Sequence, residues 1–327
     1  MRRRAFIGLL SGAAAWPLAA RGQQPASRII GILGFGSVEA ARTGFVPTQR
    51  RLAEMGYVEG RNLTIEYRGA NGREDRLAEL AAELVQRRVD TIVVFAGQSI
   101  VAAKAATTSI PILFFTGFDP VQSGFVASLN RPGGNATGIS VLNTELLAKR
   151  LQVLCELMPS AKSIAFLYSP TSLVSGGDSI GNELASAAEA LAVKLSPVEA
   201  RHGDDFEAAF ATMANARLDA VLVSADALMF QNRATIVRLA ARHMLPAAYP
   251  IREFVAGGGL MSYGTNYSEA YRQVGDYVGR VLNGEKPENL PVQRVTKLEL
   301  VINVTTAKAL GLTIPPTLLA RADEAIE

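Results

Sequence analysis

The chain has 327 residues, 49% of them hydrophobic and 19% charged, which excludes a disordered chain and leaves room for two domains of about 150 residues with real cores. Its formal net charge of +3 sits at the start: without residues 1–22, which contain Arg2, Arg3, Arg4 and Arg21, 29 basic residues face 30 acidic ones, a net charge of −1. No later basic run replaces them, so nothing supports a nucleic-acid partner. A single cysteine, Cys155, and two histidines, His202 and His243, exclude an internal disulfide and a Cys/His metal cluster.

Paired arginines one residue before Phe6-Ile7, followed by an uncharged, modestly apolar run from Ala5 to Ala20, resemble a twin-arginine export signal. Ala20-Arg21-Gly22 offers small residues at the positions a signal peptidase reads, so cleavage is expected before Gln23 and the protein is expected in the periplasm. The alternative, a retained anchor, has a 16-residue run containing Pro17, short of the ~20 residues needed to span a bilayer.

From Arg28 the chain alternates. Arg28–Phe35 is a short apolar run bounded by glycine, the mark of a strand buried on both faces, and Ala40–Met55 is a helix ended by Gly56. Strands are predicted at Leu63–Tyr67, Thr91–Phe95 and Ile112–Phe115, with helices at Glu74–Arg87 and Ser99–Ala106. The turn-rich Arg131–Asn135 then leads into a strand at Ala136–Val141 and the first crossing to another lobe. The pattern repeats with strands at Ser163–Tyr168, Leu195–Ala200 and Ala220–Ser224, a short strand at Pro246–Pro250, and helices between them. Gly257–Asn266 is read as a glycine-bracketed strand and the second crossing, Tyr267–Leu282 as a helix, and Lys297–Val304 as a strand near a third crossing.

Such strand, helix, strand units force parallel pairing and right-handed crossovers. The fold class is therefore α/β, with two doubly wound parallel-sheet lobes joined by a multi-strand hinge. Lobe 1 is expected to comprise residues 23–139 plus 265–296, and lobe 2 residues 140–264 plus 297–327.

Ligands of such sheets bind beyond the carboxyl ends of the strands. That rule selects Phe35 and Gly36, then Gly97, Gln98 and Ser99, then Thr116, Phe118 and Asp119, and in the second lobe Tyr168, Ser169, Asp226 and Tyr249. Ser99 would cap its helix and leave free N–H groups, an anion site or an ordinary cap. Asp226 stands where an N-cap is also expected, and both readings stay open. The dinucleotide fingerprint fails at Glu39, where its third glycine belongs, and no Walker-type sequence occurs, so no cofactor is expected.

Asp119-Pro120-Val121 with Gly124-Phe125-Val126, the run Arg131-Pro132-Gly133-Gly134-Asn135-Ala136-Thr137-Gly138, and the ending from Leu300-Val301-Ile302-Asn303 to Pro315-Pro316 resemble the ABC transporter substrate-binding family that includes tryptophan- and tyrosine-type binding proteins, with the type I periplasmic binding protein fold. The resemblance spans about residues 28–327. It implies a non-catalytic monomer that closes on a small molecule, an aromatic or branched amino acid or related carboxylate, and passes it to an ABC permease in the inner membrane. It also implies a carboxylate held by Gly97, Gln98, Ser99 and Thr116, an ammonium met by Asp226 or, second, Asp119, and aromatic walls from Phe35, Phe118, Tyr168 and Tyr249. Two other readings stay beside it. One is a binding protein that signals to a membrane receptor. The other is a secreted enzyme, against which stands the absence of a Gly-x-Ser-x-Gly elbow.

Overall fold

The structure, a computed structural model, describes residues 27–95, 97–141, 146–170 and 177–327; the expected leader lies outside them. The chain runs β1 (Arg28–Gly34), α1 (Val38–Glu54), β2 (Leu63–Gly69), α2 (Leu77–Gln86), β3 (Thr91–Phe95), α3 (Gly97–Ala106), β4 (Ile112–Thr116) and β5 (Ala136–Val141). There follow α4 (Leu146–Leu157), β6 (Ser163–Tyr168), α5 (Gly177–Ala190), β7 (Lys194–Glu199), α6 (Asp205–Asn215), β8 (Ala220–Val223), α7 (Ala227–Gln231), α8 (Arg233–Arg242), β9 (Ala247–Tyr249), α9 (Arg252–Ala256) and β10 (Met261–Thr265). The last elements are α10 (Tyr267–Leu282), β11 (Gln293–Val295), β12 (Leu298–Asn303), α11 (Val304–Ala309), α12 (Pro316–Leu319) and β13 (Glu324–Ile326). Among the described residues no helix is long and apolar enough to cross a membrane.

Two sheets result. The first has the order β11-β5-β4-β3-β1-β2 and the second β13-β12-β10-β9-β8-β6-β7. The runs of β3, β4, β5 and β8 are almost wholly buried on both faces, as strands covered by helices on either side must be. Helices α1 and α10 cover one face of the first sheet, while α2 and α3 pack on the other with Leu77, Leu80, Leu84 and Ile100 buried against β1, β3 and β4.

The chain leaves the first sheet after Val141, returns to that lobe through Asn266, and re-enters the second between Val295 and Leu298. The first crossing falls later than the 139/140 boundary read from the sequence, because β5 stays paired to β4 through Ser140 and to β11 through Val141. One described pairing is antiparallel, β10 with β12. Topology requires it. Strand β12 enters the second sheet from the hinge edge at which β10 has just left, so the two run in opposite directions.

The hinge segments are tied together by Asn266. Its N–H donates to the Lys297 carbonyl at 3.3 Å, its Nδ2 donates to Glu299 Oε2 at 2.8 Å, and its Oδ1 accepts from Glu269 N–H at 2.9 Å, capping α10. Burial pushes the Glu299 carboxyl above its ordinary value, with the Asn266 bond opposing the rise. One apolar core cluster is continuous across both lobes, running from Phe45, Leu52 and Val274 to Phe206, Ile236 and Phe254, so the lobes are in contact.

Candidate binding site between the lobes

The carboxyl edges of the two sheets meet at the hinge. The loop after β1 touches the end of α7: a Cβ on Gly36 would stand 2.7 Å from Gln231 Nε2. That loop is held in turn by Asn71 N–H on the Gly36 carbonyl at 2.9 Å and Gly72 N–H on the Phe35 carbonyl at 2.8 Å.

Aromatic rings bridge the junction. Phe95 and Phe115, near the ends of β3 and β4, pack on Tyr271 of α10 at centroid distances of 5.5 and 4.8 Å. Phe115 also meets Tyr267 at 5.2 Å. From the other lobe Phe230 of α7 reaches Tyr267 edge-on at 5.6 Å and Phe254 of α9 at 6.5 Å. Edge-to-face pairs of this kind add about 0.5–1.5 kcal/mol each beyond burial; the Phe230–Tyr267 pair joins the two lobes, and the other pairs lie within one lobe.

The residues selected at strand ends divide. Helix α3 begins at Gly97, so Ser99 lies inside its first turn rather than at its cap. Ser99 is wholly buried and its hydroxyl has no hydrogen-bond partner among the described residues. Gly97, Gln98 and Phe118 line a groove of about 640 Å³ with Val101, Gln122 and Phe125. The groove belongs to the first lobe alone, and the Phe118 ring lies over Gly97, 3.2 Å from where its Cβ would be. Thr116 is buried and accepts from Phe118 N–H at 3.1 Å, so it shapes the loop.

Several expectations are corrected. Phe35 packs against the α2 side of the first lobe's core. Asp119 accepts from Val121 and Gln122 N–H at 2.8 and 3.0 Å and pairs with Arg294 at 3.6 Å. Its carboxylate closes a turn. Tyr168 turns to the outer edge of the second sheet, stacked on Phe166 at 5.4 Å with its hydroxyl donating to Glu199 at 3.2 Å. Tyr249 is 1% exposed and stacks on Phe254 inside the second lobe. It is core rather than wall.

Asp226 is an N-cap. Its Oδ1 accepts from Leu228 and Met229 N–H at 3.0 and 3.1 Å, and its Oδ2 from Ser224 Oγ at 2.6 Å. Ser169, itself buried, also donates to it. Burial pushes this carboxyl up while these donors pull it down. A carboxylate has about four acceptor sites, and four donors already occupy them, which leaves no site for a ligand ammonium.

Sequence reasoning missed the bridging rings and Arg150. The available signal for Arg150 was its register: it shares the buried stripe of α4 with Leu147, Leu151 and Leu154, where a charge is out of place.

The family described as ABC transporter substrate binding protein matches residues 28–326. The chain belongs to that family. Its work is therefore to bind a solute rather than to transform one. A tyrosine-binding protein of Clostridioides difficile (strain R20291) is 27% identical over 276 residues, 84% of this chain and 78% of the relative. A conserved domain protein from Vibrio cholerae O1 biovar El Tor superposes with a TM-score of 0.81 at 28% identity, covering 91% of this chain and 99% of that one. A Streptococcus pneumoniae ABC domain in complex with L-Trp gives a TM-score of 0.80 at 25% identity, covering 92% and 100%. These likenesses agree with the two-lobed type I architecture.

Proposed function

We propose that this substrate-binding protein is the extracytoplasmic receptor of an importer, and that its solute is an aromatic L-amino acid or a closely related small carboxylate held where the lobes meet. The observation that carries this reading is the run of rings from Phe95 and Phe115 through Tyr271 and Tyr267 to Phe230, contributed by both lobes. A planar apolar side chain finds edge and face partners there whichever lobe it meets first. The binding of tyrosine and of L-Trp by the named relatives points the same way.

The buried Ser99 hydroxyl, in the first turn of α3, is a donor available to an anionic group from the first lobe. No bond is made or broken in the cycle. Solute binding favours the closed form by a hinge motion, and the closed form presents a surface to a membrane permease, to which the solute is released.

A thermal-shift panel on the purified protein tests this. A solute at 100 times its dissociation constant adds about 2.7 kcal/mol of stability, so L-tryptophan, L-tyrosine or L-phenylalanine should raise the melting temperature by about 5 °C or more, and neutral sugars should not. No shift with any aromatic or branched amino acid overturns the reading.

A further inference from the structure

Arg150 is wholly buried, and its guanidinium meets no carboxylate among the described residues. Nε donates to the Tyr263 carbonyl at 2.9 Å and Nη1 reaches the Val223 carbonyl at 3.4 Å. Nη2 has no hydrogen-bond partner among the described residues. The two carbonyls belong to β10 and to the last residue of β8, and β9, which lies between those strands, stops at Tyr249. The guanidinium therefore fills the notch that the short β9 leaves at the carboxyl edge of the second sheet. Nη2 lies beside Gly264, 3.7 Å from where its Cβ would stand. Tyr267, across the hinge, is near enough to act on this charge electrostatically, and burial lowers the guanidinium to about 10.

A cation withdrawn from water costs several kcal/mol unless an anion meets it. Two carbonyls satisfy two donors and neutralise no charge. A purely structural tie between β8 and β10 would not need a guanidinium, because well-packed apolar residues of similar volume often replace even buried ion pairs without loss. Among the described residues, what the position lacks is an anion, on the side where the two lobes meet. Resting on the reading given under Proposed function, we infer that Arg150 is the second lobe's carboxylate anchor: Nη2 donates a charge-assisted hydrogen bond to the carboxylate of the bound amino acid.

Calorimetry with L-tyrosine, L-tyrosinamide and tyramine, and with L-tryptophan and tryptamine, tests the inference on the wild type, Arg150→Gln and Arg150→Met. The wild type should prefer the acid over its amide or amine by about 30-fold or more, the worth of a charged hydrogen bond. Both substitutions should abolish that preference by weakening the acid and leaving the amide within about threefold, while Arg150→Met melts at or above the wild-type temperature. A variant that keeps the wild-type preference, or weakens acid and amide equally, overturns the inference and leaves the solute class standing. Failure of the wild type to bind any of these probes overturns both. Should the variants not fold, the wild type decides alone: equal affinity for acid and amide rejects the anchor.

Discussion

Gln231 of one lobe lies against Gly36 of the other, with only 2.7 Å between its amide nitrogen and the place a Gly36 side chain would begin. The residues sit on opposite carboxyl edges, so this contact exists only with the lobes together. Gly36→Leu should hold them apart. We expect about tenfold weaker solute binding, or about 1.4 kcal/mol, with the ligand-free melting temperature unchanged. Gly36→Ala should do less, since the end of Gln231 can move. Calorimetry showing wild-type affinity in the leucine variant would contradict this.

Asp226 caps α7 with its acceptor sites filled from its own lobe. Asp226→Ala should therefore lower unfolding stability by about 1–2 kcal/mol and change solute affinity by less than about threefold, well under the 1.5–3 kcal/mol of a charged ligand contact. Urea unfolding and calorimetry on one preparation separate the two. Weakened binding at unchanged stability would return the residue to the ligand.

Asp219 accepts from Lys162 N–H, Ser163 N–H and Ser163 Oγ, each at 2.8 Å, on one oxygen. The Lys162 bond, with the Ser163 bonds and against some burial, holds its carboxyl below the ordinary value. The unfolded chain then takes up the proton first as pH falls. The stabilisation is thus complete above the unfolded value of about 3.9 and is lost as pH drops through the lower native one. Asp219→Ala should cost about 2 kcal/mol at pH 7, and the gap to wild type should be visibly smaller at pH 3. A gap independent of pH in urea titrations would refute the assignment.

Gly264 in β10 has no room for a side chain, because a Cβ there overlaps the Pro250 carbonyl oxygen at the end of β9. Both partners are backbone, so neither can rotate away. Gly264→Ala should cost about 3 kcal/mol or more and reduce soluble yield. It should also weaken binding if the Arg150 notch is part of the site. A wild-type denaturation midpoint would show that the strands can part there without loss.

The α/β alternation was legible from residue order because buried strands such as Ile112–Phe115 and Ala220–Val223 are unbroken apolar runs closed by glycine, proline or serine. The short elements β11 and β13, three residues each, and the five-residue α9 carry too few residues to show a period, and the sequence reading passed over them. Strand ends were located well enough to nominate loops. They could not say which way a side chain turns, and in a pleated strand adjacent residues face opposite sides; Tyr168 and Tyr249 accordingly ended at an edge and in the core.

By itself, then, the chain determined its alternating class, its segment order and the family motifs near Asp119, Arg131 and Leu300, all of them local patterns. The tertiary structure decided which groups keep an unmet need. Asp226 found four donors within its own lobe, whereas Arg150, set among leucines on α4, was carried to a sheet edge where, among the described residues, two carbonyls and no carboxylate await it. The physical reason is that a charge's partner is fixed by distance in space, which separations along the chain of 73 and 113 residues, from Arg150 to Val223 and to Tyr263, do not reveal.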